Sequence, residues 1–257
     1  MGERGVYLYA VCPASASPAL DDVRGLRQQP VYAVTHRQLL AVVSAVDLDE
    51  FGEAALRRNL EDLSWLETVA RGHDEVVQQL ATATTVAPTR LATIFLDDDA
   101  VRDRLEQEAT ALTEALQRIG GRHEWSVKAY SPAHPPAGAG HADGTSGGHE
   151  SGTAYLKRRR QERDRREDET HASASAADAL HGELRDVVVA SRRLPPQDPR
   201  LSGHHGVMVL NGAYLVDDSR AERFRSFVED ATARHPQLRV DVQGPWPPYS
   251  FATLEGP

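Results

Sequence analysis

The 257-residue chain has a single cysteine, Cys12. It therefore makes no intrachain disulfide and no thiolate zinc cluster. Cys12 closes the run Val6-Tyr-Leu-Tyr-Ala-Val-Cys12, which reads as a buried strand, so the thiol is expected to be a small core side chain. Long apolar runs are lacking as well. No stretch approaches the roughly 18 apolar residues of a membrane-spanning helix. The start, Met1-Gly-Glu-Arg-Gly5, leads into the first strand-like run with no small-residue cleavage site. Neither a signal peptide nor a membrane span is expected, and a cytoplasmic address follows. Positive charge is in deficit: the formal net charge is −9. Nonspecific nucleic-acid binding, which depends on Lys and Arg neutralising phosphates, is not expected.

Catalytic patterns are missing too. There is no H-E-x-x-H, no G-x-S-x-G, and no Gly-Lys-Ser/Thr after Gly138-Ala-Gly140 and Gly144. The loop Pro13-Ala-Ser-Ala-Ser17 has no Arg or Lys with which to cradle an anion. Histidines are plentiful but badly placed for a metal. His204 and His205 are adjacent, so on a strand they point to opposite faces, and His134, His141 and His149 lie in a Gly/Ala/Pro-rich stretch without fixed ligand geometry. Asp97-Asp-Asp99 offers oxygens for Mg²⁺, yet acidic residues at a helix start also cap free N–H groups and complement the dipole. The cap is the expected role. The basic run Lys157-Arg-Arg-Arg160 is offset by Glu162, Asp164, Glu167, Asp168 and Glu169, the pattern of a solvated helix face. No enzyme activity, cofactor or metal is expected.

What is present is an alternation of strand and helix signals. Residues 6–12, 31–34 and 39–43 read as strands. Residues 50–59 and 60–83 read as continuing helix, with Leu60, Leu63, Leu66, Val69, Val76 or Val77, and Leu80 forming one stripe, and Trp65 and His73 at its edge. A strand over 91–96 is followed by a helix from Asp97 to the Gly120-Gly121 stop, burying Val101, Leu105, Leu112, Leu116 and Ile119. Residues 125–130 are a further strand, 131–152 a flexible Gly/His-rich insert, and 155–189 a helix with a charged middle. In 206–217, Asn211-Gly212 reads as a type I′ hairpin turn between two strands. Ser219-Arg-Ala-Glu222 reads as a capping box, and Leu238-Arg-Val-Asp-Val242 as the last strand. The second half then has the βαββαβ order of a ferredoxin-like domain, and the first half is a relative of that plan decorated with helices. The expected fold class is α+β in two domains, 1–123 and 124–257, the second carrying the insert and a Pro/aromatic tail at 244–257.

That tail, Gly244-Pro-Trp-Pro-Pro-Tyr-Ser-Phe251, resembles the C-terminal signature of the gas-vesicle F/L protein family. Other stretches agree in order: Tyr7-Leu-Tyr9, the Val86-Ala-Pro-Thr-Arg90 turn, Gly152-Thr-Ala-Tyr-Leu156, and Asn211 with Ala213-Tyr-Leu-Val216. Leu91-Ala-Thr93 departs from the Phe-Gly-Thr that often follows the arginine, and the insert is unlike compact members. The resemblance implies a non-enzymatic assembly factor or minor structural component of the gas vesicle. It also implies binding to the small hydrophobic main shell protein, support of vesicle nucleation or assembly, and other accessory gas vesicle proteins as partners. A ferredoxin-like small-molecule-binding regulatory module is the alternative. Trp246, Tyr249, Phe251, Arg90 and Tyr155 are the candidate partner-binding or domain-clamping residues, with the tail expected to fold back over the C-terminal domain.

Overall fold

The computed structural model describes residues 3–132, 152–197 and 206–252. Residues 133–151 of the insert expected at 131–152, and the residues around His204-His205, lie outside the described residues. The chain forms two units, Met1–Glu124 with Gly244–Pro257, and Trp125–Gln243. Each is built on an antiparallel sheet with helices.

In the first unit the central strand is β1 (Arg4–Pro13), flanked by β2 (Val31–His36) and β3 (Leu39–Asp47) on one side. On the other side it pairs with two short strands, β4 (Ala87–Pro88) and β5 (Ile94–Phe95). Residues 5–12 of β1 are all buried, as a strand covered on both faces must be. Tyr7 and Tyr9, two residues apart, share one face, with ring centroids 4.8 Å apart. Cys12 is fully buried, and burial pushes its thiol up to about 12, so it is an inert part of the core.

The helical pattern expected over 50–83 divides into α1 (Leu48–Phe51), α2 (Glu53–Asn59) and α3 (Leu63–Ala81). Two local features make the breaks. Gly52 is extended and so close to the preceding turn that a Cβ would lie 2.5 Å from Leu48 O. Asp62 caps α3, accepting from Ser64 N–H and Trp65 N–H. The next helical stretch also divides, at Glu108, into α4 (Asp98–Gln107) and α5 (Ala109–Ile119). All five residues expected on its inner face are buried. Asp97 caps α4 through Ala100 N–H, Asp98 accepts from the Tyr32 hydroxyl at 2.9 Å, and Asp99 pairs with Arg102. The strand expected over 91–96 shrinks to β5, because Ala92 sits at φ 60° and breaks the extended run.

The second unit runs β6 (Arg122–Tyr130), α6 (Gly152–Arg185), β7 (Ala190–Arg193), β8 (Met208–Asp217), α7 (Ala221–Arg234) and β9 (Arg239–Trp246), with sheet order β7-β8-β6-β9. Ala176, Ala177, Leu180 and Leu184 anchor the C-terminal part of α6 in the core. Its charged middle is exposed and carries i,i+4 pairs such as Arg163–Glu167 and Arg165–Glu169.

Two expectations fail in this unit. Asn211-Gly212 is not a turn but the middle of β8, whose hairpin partner is β7: Arg193 pairs with Gly212 and Ala190 with Leu215. Each residue of the dipeptide serves the strand. The Asn211 side chain donates to Pro195 O at 2.7 Å, and a Cβ on Gly212 would lie 2.6 Å from the Tyr214 ring. Gly212→Asn, which a type I′ turn accepts, is therefore expected to destabilise the chain by about 1–3 kcal/mol through overpacking. Urea unfolding of the variant measures this, and an unchanged midpoint would restore the turn. The capping box is absent as well. A 3₁₀ turn at Asp218–Arg220 precedes α7, and no side chain caps that helix.

Candidate functional site

The first unit is organised around an aromatic cluster beneath one face of its sheet. Tyr7 and Tyr9 from β1 meet Phe51 from α1 and His73 from α3, and Phe51 meets Trp65. Polar tips inside this cluster are matched one by one, except His73 Nε2, which has no partner. Tyr9 exchanges a hydrogen bond with Ser44 Oγ and accepts from Leu26 N–H. Trp65 donates to Glu50, which Arg27 also engages, and that guanidinium holds the Glu50 carboxyl below its ordinary range. Tyr7 Oη accepts from Ala92 N–H at 3.0 Å, leaving its own proton for His73 Nδ1 at 3.0 Å. His73 is 3% exposed, and burial drives its pKa down to about 4. The expectation put His73 at the edge of the α3 stripe; it lies inside the core, four residues from Val69 and three from Val76. The Tyr7–His73 pair is sealed from solvent, so the arrangement is built for packing rather than proton transfer.

On this framework lies an open groove. Its floor and walls come from α1 and α2 (Leu48, Phe51, Leu56) and from β5 with its flank (Ile94, Phe95, Leu96). Leu96 is 71% exposed. Asp49, Glu53 and Arg58 stand among the polar lining residues. Sequence reasoning missed these apolar residues as a site. The available signal was Leu96 itself, a large apolar side chain directly before the Asp97 cap. Among the described residues no group of three or more His, Cys, Asp or Glu side chains gathers as a metal site.

The sequence-derived candidates separate. Tyr249, Ser250 and Phe251 belong to the first unit, in the short helix α8 (Tyr249–Ala252). This differs from the expected docking on the C-terminal domain. The partners explain it: Tyr249 donates to Asp74 at 3.0 Å, Ser250 donates through both N and Oγ to the buried Glu124 carboxylate, and Arg118 donates to Phe251 O. Phe251 is 2% exposed, whereas Trp246 is 42% exposed. Arg90 lies exposed on the turn after β4. The Tyr155 side chain lies outside the described residues. Of the four candidates with described side chains, Tyr249 and Phe251 are held within the first unit, while Trp246 and Arg90 are exposed.

Two antiparallel sheets, each with its own hydrophobic core, and a surface marked by an apolar groove define an α+β protein. The sequence of this chain matches the family model described as gas vesicle synthesis protein GvpL/GvpF over residues 5–253, and the chain belongs to that family. It is 40% identical to gas vesicle protein L of Streptomyces sp. (strain CB03234) over 255 residues, 98% of this chain and 94% of that protein. It is 24% identical to gas vesicle protein F1 of Halobacterium salinarum, covering 91% of this chain and 86% of that protein. The crystal structure of GvpF from Anabaena sp. PCC7120 shares the fold, with a TM-score of 0.66 at 22% identity, over 98% of both chains. The chain has a gas-vesicle-related role. No helix among the described residues is long and apolar enough to cross a membrane.

Proposed function

We propose that this chain acts in gas vesicle assembly by holding the small, very hydrophobic main shell subunit before it is built into the shell, in concert with other gas vesicle proteins. A subunit awaiting assembly exposes apolar surface and strand edges, both aggregation hazards. Strand addition and groove docking are two ways to cover them. The exposed apolar surface favours the groove. The edge beside β1 is broken into strands of two residues each, too short to template a long strand. The groove instead offers Leu96, 71% exposed, beside Leu56 and Ile94. That exposed leucine carries the reading.

The test is Leu96→Glu. The side chain already faces water, so stability is expected to change by less than about 0.5 kcal/mol. Capture of purified shell protein is expected to weaken about tenfold or more, since burying one leucine contributes roughly 1.5–3 kcal/mol. Co-sedimentation or biolayer interferometry with the shell protein reads the effect. Undiminished capture by a folded Leu96→Glu variant would exclude the groove as the contact.

A further inference from the structure

A second pocket lies in the first unit, between the β1–β4 part of the sheet and helices α4 and α5. It shares only Phe95 with the groove above. Leu8, Val11, Val101, Leu105 and Leu112 make it apolar, and Ala252 of α8 lines it too. Its volume is about 160 Å³. That is well below the roughly 300–1,000 Å³ of small-molecule sites and close to the apolar cavity of about 150 Å³ that takes one benzene. The pocket therefore fits a single bulky side chain.

The polar groups at this pocket are nearly all engaged. Arg104 and Glu108 pair with each other. The Thr89 hydroxyl donates to the Leu8 and Tyr9 carbonyls, and the Thr93 hydroxyl to Arg90 O. The Arg90 side chain is the exception: exposed, and without an ion pair or side-chain hydrogen bond among the described residues. It is an uncompensated cation in a chain of net charge −9.

We infer that this pocket anchors one large apolar side chain of a partner protein in which the adjacent residue is acidic: the apolar group fills the space between β4 and α5, and the carboxylate meets Arg90. An apolar anchor in a pocket beside a charge-assisted contact is the usual make-up of an interface hot spot. The inference stands apart from the shell-subunit reading, because it concerns other residues and a different signature in the partner.

The test uses the full chain and an acetylated, amidated hexapeptide with a central Phe-Glu pair, compared with its Phe-Gln counterpart. Methyl NMR titration is expected to move the Leu8, Val101, Leu105 and Leu112 signals with a dissociation constant of about a millimolar. The Phe-Gln peptide is expected to bind about three- to tenfold more weakly. In Arg90→Gln, whose side chain is exposed, both peptides are expected to bind alike. Three results would overturn the inference: equal affinity of the two peptides for the unaltered chain, shifts confined to the α1–α2 groove, or no shifts at all. A chain ending at Ala252 that binds the peptide about tenfold more tightly would also overturn it, by making the chain's own last residues the occupant.

Discussion

Phe251→Ala is expected to destabilise the first unit by about 3–5 kcal/mol, the usual effect of removing a buried phenyl ring. For a unit of this size each kcal/mol corresponds to about 3 °C, so its melting temperature is expected to fall by roughly 10 °C. The ring is 2% exposed. Its backbone is fixed by Arg118, and its neighbours Tyr249 and Ser250 are fixed by Asp74 and Glu124. Loss of the ring therefore loosens a segment that three separate side chains hold in place. Trp246→Ala is the control. With 42% of its surface exposed, Trp246 is expected to contribute about 1 kcal/mol or less. Scanning calorimetry of the two variants distinguishes them. Equal losses, or a larger loss for Trp246, would move the anchor of the tail from Phe251 to the indole.

The second large effect is an acid sensitivity centred on His73. The unfolded chain protonates this residue near its ordinary 6.5, while burial holds the folded state's value at about 4. The native state therefore refuses a proton that the unfolded state accepts. Above pH 6.5 the histidine is neutral in both states and no stability is lost. As pH falls from 6.5 towards 4, unfolding becomes coupled to proton uptake, and stability falls by about 1.4 kcal/mol per pH unit, roughly 3 kcal/mol in all. The surroundings offer no relief: Tyr7, Tyr9 and Tyr249 ring the imidazole, and Nε2 has no partner. Glu50, held down by Arg27, adds its own loss only as pH drops below the ordinary carboxylate range. His73→Gln retains an acceptor for the Tyr7 hydroxyl and removes the titration. Urea midpoints at pH 7.5, 6, 5 and 4.5 are expected to fall steeply for the unaltered chain and much less for the variant. Parallel curves would show that the acid loss arises elsewhere.

Periodicity made much of this architecture legible. The apolar run of β1, the paired strands β2 and β3, and the inner faces of α4 and α5 follow directly from the spacing of Val, Leu, Ile and Tyr. What spacing does not carry is a local break: Gly52 and Asp62 divide the helical pattern, and Leu60 and Leu63 of the expected stripe are exposed beside the second break. Asn211-Gly212 misled for a different reason. Both residues have short-range tasks, an amide for Pro195 O and room for the Tyr214 ring, and a strand satisfying those tasks looks like a turn in one dimension. His73 was accessible to closer reading, since its spacing to Val69 and Val76 places it on the buried stripe. The tail was recognised as an aromatic anchor, but its destination depends on Asp74, Arg118 and Glu124, more than a hundred residues away in sequence. Arg90 was singled out through family resemblance, while the apolar groove around Leu96 carried no pattern beyond one exposed leucine.

The placement of the tail has a consequence for biosynthesis. The chain leaves the first unit at Glu124 and re-enters it at Gly244. A ribosome therefore makes residues up to Glu124 of this unit first and its Phe251 anchor only after the whole second unit. Domains normally complete in the order of their synthesis; here the earlier one must wait for the later. A stop codon within 249–251 would remove nothing from the second unit and would leave the first-made unit without the Phe251 ring.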